Sequence, residues 1–372
     1  MEQTELTSQA NAADPATQRS RAATQAIVED LRAKGLLYVT VPEASGGQGG
    51  SLGDAVRAVI DCAAQSGSAG LTFAMHLSQL YTLQRHSAGS AYLTQCLQEL
   101  ASEAALFASV ASEVHTRGNI HASHSQIERT AEGAMARKTS SNTSYATEAG
   151  AFLVTSIDSS GKRPVQKLVL VRARDTVLTA RHRNELLGMR GIDNRSWQFD
   201  FRFPEAGIFS GPFSTIASQT MTPATHILWA AVWSGIAETA LAKARTFLTK
   251  ECDPAAPETA VGLTTLSTLC NGHFTLNALI RDALAALSER QGKATSFVDA
   301  ARINRLKIIG SDLAVEIVLG TLRICGLRGY AESGPYTQAE AVRDVLSGPL
   351  MVSNARLQSN TLGIERFVIE RP

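Results

Sequence analysis

The sequence predicts an α+β fold in which a helical segment, a β segment and a second helical segment follow one another along the chain. Apolar residues recur at helical spacing over residues 16–105, and short β-branched and aromatic runs follow up to about residue 213. Long helical patterns return from Pro223. We therefore expect an N-terminal helical domain (1–105), a middle antiparallel β domain (106–220) and a C-terminal four-helix bundle (221–372).

Apolar residues three or four positions apart, as at Ala23, Ile27 and Leu31, predict the N-terminal helices. Between the first two of these helices lies the loop Pro42–Gly50, which has four glycines in its last five positions. Glycine tolerates backbone angles and close approaches that other residues do not. We expect a turn here in which the backbone bends sharply or passes close to another group.

The β segment contains short runs of strand-forming residues separated by turn residues such as Gly161 and Asn194. In the C-terminal segment, Pro223 suits the first turn of a helix, and Pro254–Pro257 separates the first two helical patterns. The predicted strands include 151–156, 166–171 and 196–201, and the predicted helices cover about 225–250, 258–290, 295–325 and 336–358.

The composition is that of an ordinary globular protein, with 44% hydrophobic and 19% charged residues. Lys plus Arg (35) nearly equals Asp plus Glu (34), which argues against nucleic acid or a membrane surface as a partner. No apolar run predicts a membrane span, and the polar segment 1–16 lacks the features of a secretory signal. The cysteines show no CxxC spacing, so we expect reduced thiols, no metal site and a cytoplasmic protein; they are Cys62, Cys96, Cys252, Cys270 and Cys325.

Five stretches, taken in order, resemble the sequence motifs of the acyl-CoA dehydrogenase family. Each alone could arise by chance, but their order and spacing together cover nearly the whole chain. The resemblance implies that family's fold, an FAD held between the β domain and the C-terminal helices, and an acyl thioester on CoA or a carrier protein. The stretches are Val41–Gly49, Phe107–Glu113, Ala136–Asn142, Leu187–Gly191 with Phe199–Glu205, and Gly326–Tyr330 with Arg343–Asp344.

The same resemblance implies the cofactor-binding residues. Ser112 matches a hydroxyl that bonds the flavin pyrimidine edge, and Ser141 matches one near flavin N5. The alternative is that both hydroxyls bond the local backbone. Gly326 and Gly329 match glycines that let the backbone approach the phosphate or adenosine end, with a helix C-cap as the alternative.

The sequence departs from the family where a dehydrogenase needs a carboxylate base to remove the α-proton. In most of the family this Glu follows an Arg-Asp motif, which is Arg343–Asp344 in this chain, and the equivalent position here falls near Val352. A minority places it in the first helix after the β domain, where this chain reads Ala224–Ile227 and has no acid. The family's arginine clamp on the FAD pyrophosphate is missing from 248–254, and Thr139 replaces an indole beside the flavin.

Two histidines are candidates for the catalytic group, because imidazole serves as a base near neutral pH. They are His76, on a predicted apolar helix, and His226, next to the missing acid; a hydrogen-bonded core residue is the alternative for each. Asn354 is a candidate for contact with the cofactor and Arg356 for contact with the substrate thioester or carboxylate. The alternative for both is a solvated helix face.

Three functions remain open from the sequence. The first is an FAD-dependent oxidoreductase acting on an acyl thioester, with a non-standard base. The second is a flavin-dependent oxygenase of the same fold, which uses reduced flavin and O2 and needs no glutamate. The third is a non-catalytic binding protein with a degenerate flavin site. The resemblance also implies a homodimer or homotetramer.

Overall fold

The computed structural model describes residues 14–116, 118–290 and 294–369, so most of the polar segment 1–16 lies outside the described residues. The described chain forms two compact units. The β unit lies within residues 1–37, 87–186 and 190–213, and the helical unit lies within residues 38–86, 187–189 and 214–372. The domain boundaries expected near residues 105 and 220 stay a prediction.

The secondary structure follows the predicted order of helices, strands and helices. The N-terminal helices are α1 (Pro15–Ala33), α2 (Leu52–Gln65), α3 (Gly67–His86) and α4 (Ala91–Ser102). The strands are β1 (Leu106–Val110), β2 (Glu128–Thr130), β3 (Gly133–Ser144), β4 (Ala149–Asp158), β5 (Val165–Arg172), β6 (Thr176–Arg183) and β7 (Asn194–Phe203). The C-terminal helices are α5 (Phe213–Ile216), α6 (Thr222–Lys250), α7 (Pro257–Glu289), α8 (Phe297–Tyr330), α9 (Ala339–Val345) and α10 (Asn354–Ile369).

Two sheets form the centre of the β unit, with strand orders β1-β4-β5 and β2-β3-β7-β6. The predicted antiparallel β domain is confirmed, with one parallel pairing between β1 and β4. Phe152 on β4 packs edge-on against Phe199 of β7 with ring centroids 5.6 Å apart, and Phe199 stacks on Phe201 at 5.0 Å. All three rings are buried, so this aromatic cluster fills the space between the sheets.

Helix α6 is the centre of the helical unit and packs against α2, α3, α7 and α8. Small residues allow this packing: a Cβ on Gly235 of α6 would overlap Ala63 and the backbone of α2. The long predicted helices are confirmed, but the fourth, over 336–358, is wrong, because α9 ends at Val345 and α10 begins at Asn354. Pro349 lies in the intervening turns, where it lacks the N–H that a helix interior needs.

The glycine-rich loop turns back on its own chain. The N–H of Gly49 donates to the Val41 carbonyl and that of Gly50 to the Val39 carbonyl, both at 2.8 Å. A Cβ on Gly47 would overlap the Val41 carbonyl, so only glycine fits this position. The expected sharp turn with a close backbone approach is therefore confirmed. No helix among the described residues is long and apolar enough to cross a membrane, and all five cysteines are free thiols.

Two of the family-like motifs pack directly on each other within the helical unit. The Asp344 carboxylate accepts a hydrogen bond from the Met189 N–H at 2.5 Å, and the Arg343 carbonyl lies against Gly188. The Arg343 side chain forms an ion pair with Glu332, with 2.9 Å between Nη1 and Oε2. The R-D pair therefore has a structural role, although its two side chains use different partners.

We expect Gly188→Ala to destabilise the protein by about 2 kcal/mol, because a Cβ there would overlap the Arg343 carbonyl. Gly363 in α10 has open space around it, so Gly363→Ala is the matched control and should be neutral or stabilising by up to about 1 kcal/mol. Urea unfolding of the two variants and the wild type measures both values. Equal stability of all three proteins would contradict the packing role of Gly188.

Candidate functional site

A buried ion pair lies in the β unit beside the residues that match the flavin hydroxyls. Lys138 on β3 lies 3.4 Å from the Glu113 carboxylate and donates to the carbonyl and hydroxyl of Thr155 at 2.7 and 2.8 Å. Glu113 also accepts bonds from the Ser123 hydroxyl and the His124 N–H. Burial lowers the pKa of Lys138 to about 8, and the attraction of Glu113 opposes that shift.

Ser112, next to Glu113, ends a chain of hydroxyl groups. Thr143 donates to Ser140 at 2.8 Å, Ser140 and Ser112 are 3.1 Å apart, and Ser112 donates to the Asn142 carbonyl at 2.9 Å. Thr143 and Ser112 each have one hydroxyl proton, and each uses it in the bond just described. The proton between Ser140 and Ser112 must therefore come from Ser140, which donates to Ser112. Ser112 therefore has a lone pair left to accept a further hydrogen bond, but no proton left to donate.

Ser141 lies in an irregularity of β3, where it and Asn142 fall outside the register with β7. The side chain of Ser141 is exposed, and no residue in the described part of the chain bonds its hydroxyl. Its carbonyl accepts a bond from Asn184 at 3.3 Å, which holds this segment in place. A donor hydroxyl and an acceptor hydroxyl on neighbouring segments fit the polar edge of a flavin ring, which carries both N–H and C=O groups.

His226 lies on α6 in the helical unit and is almost fully buried. Its ring stacks on Trp229 with the ring centroids 6.1 Å apart. Nδ1 is buried and has no hydrogen-bond partner among the described residues. Burial, and then the charge of Lys307, lower the pKa of His226 to about 4, so its imidazole is neutral at pH 7.

Asn354 is buried at the start of α10, and its amide bonds the interior of the helical unit. Its oxygen accepts from Lys307 at 2.6 Å, and its nitrogen donates to Ser311 at 3.0 Å and Asp312 at 2.9 Å. Lys307 also donates to the Gly348 carbonyl at 2.9 Å, and burial lowers the pKa of Lys307 to about 8. Asn354 therefore lies in a buried network rather than on a solvated face; its cofactor role stays a prediction.

The other candidate residues of the helical unit occupy different surroundings. His76 on α3 is fully buried with its ring edge-on to Tyr38 at 5.6 Å, whereas Arg356 on α10 is exposed. Gly326 kinks α8 at φ 56° and ψ −137°, which favours glycine, and a Cβ there would meet open space. A Cβ on Gly329 would overlap Cys325, so packing alone requires that glycine. Their roles in binding and catalysis stay predictions.

Neither position at which the family carries its base holds an acid in this structure. Val352 lies in the turns before α10 with a left-handed backbone at φ 49°. Ala224 and Ile227 of α6 are fully buried, and His226 between them is the titratable group of that turn. Among the described residues, no group of three or more His, Cys, Asp or Glu side chains is placed to hold a metal ion.

Sequence reasoning missed the roles of Glu113, Lys138 and Lys307. Glu113 and Lys138 lie in two of the family-like motifs, Phe107–Glu113 and Ala136–Asn142. An acidic and a basic residue close in sequence to Ser112 and Ser141 could therefore have indicated an ion pair beside these hydroxyls. Lys307 carried no such signal, because a lysine in a helical pattern is normally solvated. Only the packing of α8 against α6 and the turns before α10 shows that it is buried.

Comparison with solved structures identifies the class of fold. TdsC, a dibenzothiophene monooxygenase from Paenibacillus sp. A11-2 whose structure contains FMN and indole, superposes with a TM-score of 0.79 at 18% identity, covering 93% of this chain and 91% of that chain. Butyryl-CoA dehydrogenase from Megasphaera elsdenii gives 0.77 at 16% identity, covering 95% and 98%. Methanesulfinate monooxygenase MsuC from Pseudomonas fluorescens gives 0.76 at 17% identity, covering 94% and 96%.

The chain therefore has the acyl-CoA dehydrogenase fold, which these comparisons find in both dehydrogenases and monooxygenases. Residues 3–104 match the family model described as acyl-CoA dehydrogenase, N-terminal domain. The resemblance inferred from the sequence motifs is confirmed. A search of curated proteins finds no significant match.

We expect His226 to make the protein lose stability as the pH falls. Its folded-state pKa of about 4 lies below the ordinary histidine value of 6.5, so between these values the unfolded chain binds a proton that the folded protein does not. This difference in proton binding lowers the free energy of unfolding by roughly 2 kcal/mol between pH 7 and pH 5. His226→Gln cannot titrate and should lose that much less, as measured by urea unfolding at both pH values.

An equal loss in His226→Gln and the wild type would contradict the burial of a neutral imidazole at this position. Far-UV circular dichroism at pH 7 serves as the control that the variant is folded.

Proposed function

We propose that this protein is a flavin-dependent oxidoreductase. Its fold, found in TdsC with FMN, and the two hydroxyls on neighbouring segments of the β unit support a flavin as cofactor. FAD is the cofactor that the sequence motifs imply, and FMN is the alternative suggested by TdsC. The missing arginine of 248–254 removes one reason to prefer the dinucleotide.

A bound flavin would supply the redox chemistry, as acceptor of a hydride or, once reduced, as the partner of O2. The protein's own contribution would be binding and orientation. Ser141 would donate a hydrogen bond to an acceptor on the ring edge, and Ser112 would accept one from a ring N–H. The Glu113 carboxylate beside Lys138 offsets its positive charge, so this buried pair would hold the segment that carries Ser112 in place.

Of the two reactions known for this fold among the comparisons, oxygenation is the one the site supports better. The observation that carries this choice is the absence of an acid at Val352 and within Ala224–Ile227. A neutral His226 with a pKa near 4 is a weak base for an α-proton. An oxygenase would not require such a base, because a reduced flavin and O2 would supply the oxidant.

Oxidation of an acyl thioester is the second candidate. The match of residues 3–104 to the acyl-CoA dehydrogenase N-terminal domain favours it, and the substrate would be an acyl group on CoA or a carrier protein. A homodimer or homotetramer is part of either proposal. Exposed apolar side chains on one long helix, α7, support self-association; they are Val261, Leu263 and Phe274.

The two reactions differ in what reduces the flavin. We expect anaerobic mixing with a panel of acyl-CoAs to leave the visible absorption of the bound oxidised flavin unchanged, as in a buffer control. Chemical reduction followed by O2 should restore the oxidised spectrum and consume oxygen faster than free flavin does. Bleaching by an acyl-CoA would instead establish the dehydrogenase, and a chain that binds neither FMN nor FAD would exclude both reactions and favour a binding protein.

A further inference from the structure

Three arginine side chains of the β unit surround one carboxylate, that of Asp193. Arg21 of α1 reaches it through Nη2 at 2.7 Å, Arg183 of β6 through Nη2 at 3.5 Å, and Arg195 of β7 through Nε at 2.8 Å. Arg183 and Arg195 are direct neighbours in the β6–β7 register, so the backbone itself places two like charges side by side. We call Arg21, Arg183 and Arg195 the arginine cluster.

Several nitrogens near this carboxylate lack an acceptor. Nε of Arg21 and both Nε and Nη1 of Arg183 are buried, and none has a hydrogen-bond partner among the described residues. The indole N–H of Trp197 is also buried without a partner among these residues. The Arg195 guanidinium lies over the Trp197 ring, with its Cζ 5.7 Å from the ring centroid. One buried acceptor beside them, Oδ1 of Asp193, also lacks a hydrogen bond, but it is too few for four buried donors, which are normally paired in native proteins.

The neighbouring acids do not fill this need. Glu148 interacts electrostatically with Asp193 and Arg21; burial, and then the charge of Asp193, raise its pKa, and the charge of Arg21 lowers it. Glu185 attracts Arg183 and is exposed to solvent. Asp193 is thus the one carboxylate among the described residues that forms ion pairs with the cluster, and three guanidinium charges share it.

We infer that the arginine cluster binds a phosphate group. A phosphate supplies several strong acceptor oxygens and up to two negative charges, which matches the excess of donors and of positive charge. The side chains of Arg21, Arg183 and Arg195 are 20%, 11% and 24% exposed, so solvent reaches part of each guanidinium-bearing chain, whereas the unpaired nitrogens themselves are buried and a phosphate reaches them by displacing these side chains. A carboxylate ligand would satisfy fewer of the free nitrogens.

The test uses the full chain with inorganic phosphate as the probe. Melting temperatures are measured over a phosphate series at constant ionic strength, with chloride as the comparison ion. We expect phosphate to raise the melting temperature of the wild type, and binding to Arg183→Gln to be at least about tenfold weaker, as for the loss of one charge-assisted hydrogen bond. Arg174 is exposed and outside the cluster, so Arg174→Gln is the matched control and should bind like the wild type.

Arg183→Lys is the second variant, in case Arg183→Gln fails to fold. It keeps the positive charge opposite Asp193 and removes only the guanidinium nitrogens. It should also bind phosphate more weakly than the wild type. Two results would overturn the inference: phosphate that stabilises the wild type no more than chloride does, or Arg183 variants that bind phosphate as tightly as the wild type.

A second comparison identifies the source of the phosphate. If it belongs to the flavin of the proposed function, Arg183→Gln will weaken FMN binding and leave riboflavin binding unchanged. If it belongs to another molecule, the variant will lose inorganic phosphate but bind FMN like the wild type. Should neither flavin bind to the wild type, the proposed function fails, while the phosphate series still decides the present inference.

Discussion

The buried ion pair between Lys138 and Glu113 is the interaction on which the candidate flavin site depends. Removing one partner of such a pair leaves an uncompensated buried charge, which typically costs about 3–5 kcal/mol. The pair joins β3 to the segment after β1, and Ser112 is the residue immediately before Glu113 in that segment. The hydroxyl chain from Thr143 to Ser112 therefore lies on two segments that this ion pair holds together, along with the backbone hydrogen bond from the Val114 N–H to the Thr139 carbonyl at 3.0 Å.

Much of the fold could be predicted because it depends on local patterns. The apolar spacing of Ala23, Ile27 and Leu31 predicts helix α1 correctly, although the buried side chains of that helix are Thr24, Val28 and Leu31. The glycines after Pro42 predict a turn whose backbone folds back on itself. The fourth C-terminal helix was overextended, since the apolar spacing continues through residues that Pro349 forces into turns. Periodicity identifies helical residues well but locates a break poorly.

The site could be predicted only in part, because burial of polar groups is a tertiary property. Ser112 and Ser141 were found through motif resemblance, yet nothing in the sequence distinguishes the hydroxyl that is already bonded from the one that is exposed. Asn354 resembles a helix-surface residue in the sequence but bonds the buried Lys307. The charge around Asp193 was equally hidden, since Arg21 lies far from it along the chain.

The most direct test of the central claim is a fluorescence titration of FMN and FAD with the purified protein and with Ser141→Ala. The hydroxyl of Ser141 is exposed and unbonded among the described residues, so its loss leaves the fold intact. We expect saturable binding of at least one flavin to the wild type, and binding about tenfold weaker to the variant, as for one lost hydrogen bond. Equal binding by the two proteins, or no binding by either, would contradict the claim that the β unit presents its hydroxyls to a flavin.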